Sequence, residues 1–188
     1  MQEILKDFPD NLIQKAQKIK AIICDVDGVL TDGGIIYDNN GNELKKFNVK
    51  DGQIIKHLKN SGMLVGAITG RDSPVVRFRC TELKMDFHYH GIKEKWRQYE
   101  QVKSDFGLKD DEIIYIGDDI IDISIFKRCG FAVTPADAMS YVKDHADFTA
   151  RSKGGEGVLR EVGDFVLAAK GLLEEIIKSY YGEEVNNS

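Results

Sequence analysis

Cysteine is scarce in this chain, and its placement argues against cross-links. Cys24, Cys80 and Cys129 are the three present, an odd number at wide spacing, which excludes a disulfide framework. Cys24 and Cys80 lie in apolar or helical contexts and read as small buried residues in a reducing cytoplasm. Basic blocks are missing as well. The net charge is −5 and no run of Lys or Arg occurs, so nucleic acid is not an expected partner. No apolar run approaches the roughly 20 residues needed to cross a bilayer, which leaves no membrane partner either. Met1 to Lys20 mixes charge with apolar residues and lacks the apolar core of a signal peptide. Internal repeats, low-complexity tracts and linkers are absent. The glycine-rich stretch Gly154-Gly155-Glu156-Gly157 fits neither common nucleotide-binding glycine pattern.

What is present suits one α/β domain over residues 1–188. The 188 residues, 42% hydrophobic and 30% charged, are enough for a sizeable core. Apolar runs at Ala21–Cys24, Leu64–Ile68 and Ile113–Ile116 read as buried parallel strands. Phe87–Tyr89 and Phe131–Val133 are shorter candidates. Helices are expected over Asn11–Lys18, after Asp51 as a cap, after Ser73-Pro74, over Glu94–Phe106 and through Ile125 and Phe126. A long amphipathic helix is expected over Val158–Tyr180, its apolar stripe belonging to the core. Asn186 to Ser188 should fray. Ile35-Ile36-Tyr37 and Leu44-Lys45-Lys46-Phe47 flank the turn residues Asp38–Asn42 and read as a β-hairpin. The whole predicts a three-layer, Rossmann-like, mainly parallel sheet with helices on both faces and a hairpin insertion.

The polar residues stand where such a sheet binds ligands. Three apolar strands end in Asp25 and Asp27, in Thr69, and in Asp118 with Asp119, and open parallel sheets bind at the carboxyl ends of their strands. Carboxylates gathered this closely repel one another, and burying them unpaired costs several kcal/mol. A hard divalent cation such as Mg²⁺ resolves the conflict. A carboxylate beside that cation can attack a phosphate ester, with a lysine and a hydroxyl holding the phosphoryl oxygens. Asp25 and Asp27 are two apart, so on an extended chain both serve one pocket, and Gly28 lets the backbone turn away. His88 and His90 lack further ligands at a zinc spacing and read as polar strand residues.

Together these residues resemble the haloacid dehalogenase superfamily of phosphotransferases. Its first motif is matched by Asp25-Val26-Asp27-Gly28-Val29-Leu30-Thr31-Asp32, its second by Thr69 in Ile68-Thr69-Gly70-Arg71, and its fourth by Gly117-Asp118-Asp119-Ile120-Ile121-Asp122. Its third is a lysine. Counting from Gly91 favours Lys95, and Lys93 is the alternative, since Glu94 stands where the phosphatases acting on 3-deoxy-D-manno-octulosonate 8-phosphate usually carry a small or amide residue. Phe47-Asn48-Val49-Lys50-Asp51-Gly52, Arg71 and the stretch from Gly154 to Glu161 are similar to the small phosphatases acting on 3-deoxy-D-manno-octulosonate 8-phosphate, over about residues 20–171. The resemblance implies Mg²⁺ held by Asp25, the carbonyl of Asp27, and Asp118. It implies Asp25 as nucleophile and Asp27 as acid and base, with Thr69 and Lys95 on the phosphoryl group. Asp119 and Asp122 would orient a ligand or the lysine. Substrate contacts are implied for Arg71, Asp51, Gly52 and Arg160, although Arg71 and Arg160 also suit surface ion pairs.

Neither the interval from Asp27 to Thr69 nor that from Thr69 to Lys95 holds a separate cap domain. An uncovered pocket would admit water, so the resemblance implies a homotetramer in which a neighbouring subunit shields it. The hairpin from Gly33 to Phe47 has exposed edges that could pair with copies of itself. The loop at Gly154 is expected to be a mobile lid carrying Arg151 or Arg160 toward a sugar carboxylate. Other readings stay open: a phosphatase for nonulosonate 9-phosphates, a phospho-Asp receiver domain, or a non-catalytic regulatory module.

Overall fold

The computed structural model describes residues 2–6 and 8–181, so the end expected to fray at Asn186–Ser188 lies outside the described residues. The strands are β1 (Ala21–Cys24), β2 (Ile36–Tyr37), β3 (Glu43–Leu44), β4 (Leu64–Ile68), β5 (Phe87–Tyr89), β6 (Ile113–Ile116), β7 (Phe131–Thr134) and β8 (Phe148–Thr149). The helices are α1 (Gln2–Leu5), α2 (Asp10–Lys18), α3 (Val49–Asn60), α4 (Pro74–Glu82), α5 (Lys95–Phe106), α6 (Ile123–Phe126), α7 (Ser140–Lys143), α8 (Val158–Ala169) and α9 (Leu173–Lys178).

Six strands form one parallel sheet in the order β5-β4-β1-β6-β7-β8. Strand β1 is central, and its alternation sorts the core into two layers. Ile22 and Cys24 pack with residues of α2, α3, α4 and α8 on one face. Ala21 and Ile23 pack with Tyr99 and Val102 of α5, Ile125 and Phe126 of α6, and Val142 of α7 on the other. All four residues of β1 are buried, as a central strand covered on both faces requires. Each large apolar side chain buried this way contributes about 1.5–3 kcal/mol.

Strands β2 and β3 pair antiparallel as the expected hairpin, with Ile36 opposite Leu44 and Tyr37 opposite Glu43. The hairpin lies between β1 and α3, and no cap domain interrupts the described chain.

Two sequence expectations are corrected. Asn48, not Asp51, caps α3, its side chain accepting from the Lys50 amide at 3.0 Å. The long helix expected over Val158–Tyr180 is two helices. Gly171 adopts φ +73°, Leu172 N donates to Leu167 O at 2.8 Å, and Gly171 N donates to Ala168 O at 3.0 Å. That pattern is a Schellman stop, which an apolar stripe continuing past it conceals.

Candidate active site

Strands β1, β4 and β6 all run the same way, so their carboxyl ends meet at one edge. There Asp25, Asp27, Gly28, Thr69, Arg71, Asp118 and Asp119 line a cavity of about 260 Å³. Asp25 still donates its amide to Ile116 O at 2.8 Å, so it is fixed by the sheet ladder itself. The chain then folds back over Val26 through a tight turn: Leu30 N donates to Val26 O at 2.9 Å. Gly28 sits at φ +81° in this turn, and a Cβ there would lie 2.0 Å from Oδ2 of Asp118. The glycine is required by the close approach of two motif loops as much as by the turn.

Lys95 opens α5 with a side chain wholly out of water. Its ammonium lies 2.6 Å from Asp25 Oδ2 and 2.7 Å from Asp122 Oδ1. Burial works to lower its pKa, but Asp25 and Asp122 outweigh that and hold it above the usual lysine value. Lys93 is exposed, whereas Lys95 is buried against Asp25 and Asp122, which favours Lys95 as the motif lysine.

Asp122 is fully committed within the protein. Its Oδ1 also accepts from Tyr115 Oη at 2.7 Å, and its Oδ2 accepts from the amides of Asp118 and Asp119 at 3.1 and 3.2 Å. It therefore orients Lys95 and the Asp118 loop. Asp119 is exposed at the cavity mouth, with Oδ1 accepting from the Ile120 amide at 2.7 Å.

The electrostatics point to a cation. Oxygens of Asp25, Asp118 and Asp122 lie within 4.8 Å of one another. Burial pushes Asp118 up to about 8, with Asp25 and Asp122 adding to the effect. Burial likewise raises Asp25 to about 6, against the pull of Lys95. Asp118 Oδ1 is buried with no hydrogen-bond partner among the described residues. With Asp122 already saturated, Asp25 and Asp118 are the two carboxylates left to ligate. Hard oxygen donors at two carboxylates, with room for water and a phosphate oxygen, fit Mg²⁺.

Two residues of the hairpin join the site without having been singled out in the sequence. Lys45 Nζ lies 2.5 Å from Asp27 Oδ1 and 3.4 Å from Glu43, with its side chain 0% exposed. Glu43 binds Arg71 Nη2 at 2.7 Å and also accepts from the Ser73 hydroxyl. Arg71 Nε stands 3.8 Å from Asp27 Oδ2. The available signal was period two: Glu43 and Lys45 alternate with the outward Leu44, so they share one face.

Three expected substrate contacts are placed elsewhere. Asp51 Oδ1 accepts from the Arg160 amide at 2.8 Å and so caps the first turn of α8. Gly52 lines a separate groove between α3 and α4. The guanidinium of Arg160 pairs with Asp164 at 2.6 Å along its own helix. The loop at Gly154 is not shaped as a free lid. Gly154, Gly155 and Gly157 are buried, and a Cβ on Gly154 would lie 2.2 Å from the Gly28 carbonyl. This loop buttresses the turn after Asp25. His88 and His90 bond to each other at 2.8 Å, away from the cavity.

The haloacid dehalogenase-like hydrolase family model matches residues 87–162. The 3-deoxy-D-manno-octulosonate 8-phosphate phosphatase KdsC of Haemophilus influenzae is 40% identical over 158 residues, covering 84% of this chain and 88% of that protein. Its counterpart in Escherichia coli K12 is 39% identical over 165 residues, 88% of each chain. The Yersinia pestis phosphatase of the same name superposes with a TM-score of 0.86 at 39% identity, covering 88% of this chain and 89% of that one. The Moraxella catarrhalis enzyme, solved with a magnesium ion, a phosphate ion and KDO, gives 0.89 at 32% identity, covering 92% and 99%. Sequence likeness on this scale, over a shared sheet that brings Asp25, Thr69, Lys95 and Asp118 together, establishes that the chain belongs to the haloacid dehalogenase-like hydrolases, among the small phosphatases of the KdsC family.

Proposed function

We propose that the protein is a Mg²⁺-dependent phosphomonoesterase acting on a sugar-acid phosphate, 3-deoxy-D-manno-octulosonate 8-phosphate being the first candidate. The observation that carries the chemistry is the juxtaposition of Asp25, Lys95 and Asp118 at one strand edge. The similarity to named octulosonate phosphatases, one of them solved with magnesium, phosphate and KDO, supports the substrate and the metal.

Asp25, the carbonyl of Asp27, and Asp118 would hold the ion. When bound, Mg²⁺ offsets the charge of the carboxylates and of the phosphoryl oxygens. Asp25 attacks phosphorus in line and forms an aspartyl-phosphate. Asp27 protonates the departing sugar oxygen, then takes a proton from the water that cleaves the intermediate. Thr69 and Lys95 bind the phosphoryl oxygens, and Asp122 keeps Lys95 aimed. Arg71, at the cavity wall, is the candidate for sugar or carboxylate recognition. Asp51, Gly52 and Arg160 do not line the cavity around Asp25.

The cavity is open, and the hairpin presents Ile36 and Leu44 more than half exposed beside it. A homotetramer that covers these side chains and the pocket accounts for both features.

The test is a panel of sugar-acid phosphates, 9-phosphates of nonulosonates included, assayed with Mg²⁺ and with EDTA. Turnover of the 8-phosphate is expected with Mg²⁺ and should vanish with EDTA and in Asp25→Asn. Preference for a 9-phosphate would move the substrate. A phospho-Asp lasting minutes without turnover would replace the enzyme with a receiver-like protein.

A further inference from the structure

We propose that Lys45, from the hairpin, is a positioning residue that fixes the carboxylate of Asp27 for proton transfer. The inference rests on the acid–base role assigned to Asp27 above.

The geometry is specific. Lys45 Nζ binds Oδ1 of Asp27, and the Thr31 hydroxyl approaches the same oxygen at 3.5 Å. Oδ2 has no hydrogen-bond partner among the described residues. One oxygen is thus gripped by Lys45, and the other, with Arg71 Nε 3.8 Å away, makes no hydrogen bond and is available to the leaving group and later to water. A carboxylate on a single Cβ rotates freely unless something grips it, and proton transfer needs a heavy-atom separation of about 2.6–3.2 Å.

The lysine is itself held. Its side chain is 0% exposed, and Glu43 stands 3.4 Å from its ammonium. Glu43 in turn binds Arg71 and Ser73 at the end of β4, so the hairpin is tied to the second motif as well as the first. Immobilising a lysine out of water costs desolvation and side-chain entropy. A surface charge would not be paired on both sides in this way. Lys45 reaches Asp27 from the hairpin with its side chain out of water. Its contacts are with Asp27 and Glu43, not with the Thr69 and Lys95 side of the cavity that would hold the phosphoryl group. It acts through Asp27.

The consequence is a change in leaving-group dependence. A proton donor matters most when the departing oxygen is strongly basic and least when it leaves readily as an anion. Aryl phosphates from phenyl to p-nitrophenyl vary that basicity without a sugar, so sugar recognition does not enter. The measurement is kcat/KM across this series with Mg²⁺, for the wild type, Lys45→Met and Asp27→Asn. General acid catalysis contributes about 10²–10⁴-fold. For Lys45→Met we expect a loss of about 100-fold on phenyl phosphate and less than about 5-fold on p-nitrophenyl phosphate, the same steepening as in Asp27→Asn. Equal losses on all substrates, or a wild-type slope, would overturn the proposal. If Lys45→Met does not fold, as judged by thermal melting, Lys45→Gln keeps a donor without the charge. An intermediate slope is then expected, and a wild-type slope counts against the idea. A shallow slope in Asp27→Asn would instead show that the acid–base assignment itself is wrong. A steep Asp27→Asn with a shallow Lys45→Met would reject the lysine's role alone.

Discussion

Gly28 and Asp118 come from the first and fourth motifs, yet a Cβ on Gly28 would lie 2.0 Å from the carboxylate of Asp118. The two loops are in contact, and the contact is possible only without a side chain at Gly28. Gly28→Ala must therefore displace Asp118 or the turn, and it also strains a backbone at φ +81° by about 1–2 kcal/mol. The expected result is a folded protein whose Mg²⁺ requirement rises at least about 10-fold, as for losses around a metal site. Titrating activity with Mg²⁺ checks this. An unchanged half-saturation would show that Asp118 does not need its present position.

Lys95 and Lys93 give a sharper contrast. The Lys95 ammonium is 0% exposed between Asp25 and Asp122, whereas Lys93 is at the surface. Removing one partner of a buried ion pair costs about 3–5 kcal/mol, because the remaining charges lose their compensation. Lys95→Met is expected to lower the melting temperature and abolish turnover, and Lys93→Ala to leave both near wild type. Loss of activity in Lys93→Ala alone would reverse the assignment.

The strand ends were legible because a central parallel strand must be apolar throughout. Ala21–Cys24, Leu64–Ile68 and Ile113–Ile116 each stop where carboxylate or hydroxyl chemistry begins, so the sheet edge could be read directly. What escaped depended on long-range partners. Asp51 has the chemistry of a cap, but Asn48 caps its own helix, and Asp51 serves the helix that begins at Val158, accepting from the Arg160 amide 109 residues away. Lys45 lies 18 residues from Asp27 in a hairpin of two-residue strands, where alternation is too brief to stand out. Neither relationship follows from local periodicity.

Asp51 has a pH consequence. Burial pushes its carboxyl from 3.8 up to about 6, against the pull of the Arg160 and Leu159 amides. A raised acid favours the folded state while it is protonated. That contribution is complete below the unfolded value of 3.8 and is lost as pH rises through about 6. Asp51→Asn keeps an oxygen for the Arg160 amide and cannot ionise. Relative to the wild type, it should gain about 1.5 kcal/mol between about pH 5 and about pH 7.5. Urea unfolding of both proteins at the two values measures the gain. A constant difference would mean that Asp51 is not held above its unfolded value.

The hairpin supplies the last prediction. Ile36 and Leu44 are cross-strand partners, so they share a face, and they are 51% and 52% exposed. Tyr37 and Glu43, paired one step along, take the opposite face, where Glu43 binds Arg71. One face therefore builds the pocket and leaves the other as apolar surface that water should not keep. Association of four chains would bury that surface and hold the hairpin down, keeping Glu43 and Lys45 on the pocket. The variant carrying both Ile36→Lys and Leu44→Lys places charges on the outer face and leaves the inner one intact. Light scattering should show a tetramer for the wild type and a smaller species for the variant. The variant's kcat/KM on the sugar-acid phosphate should fall at least about 10-fold, since a loosened hairpin exposes the cavity to water. A wild-type monomer with full activity would reject the shared pocket, and a dissociated variant with full activity would show that the hairpin stays closed without neighbours.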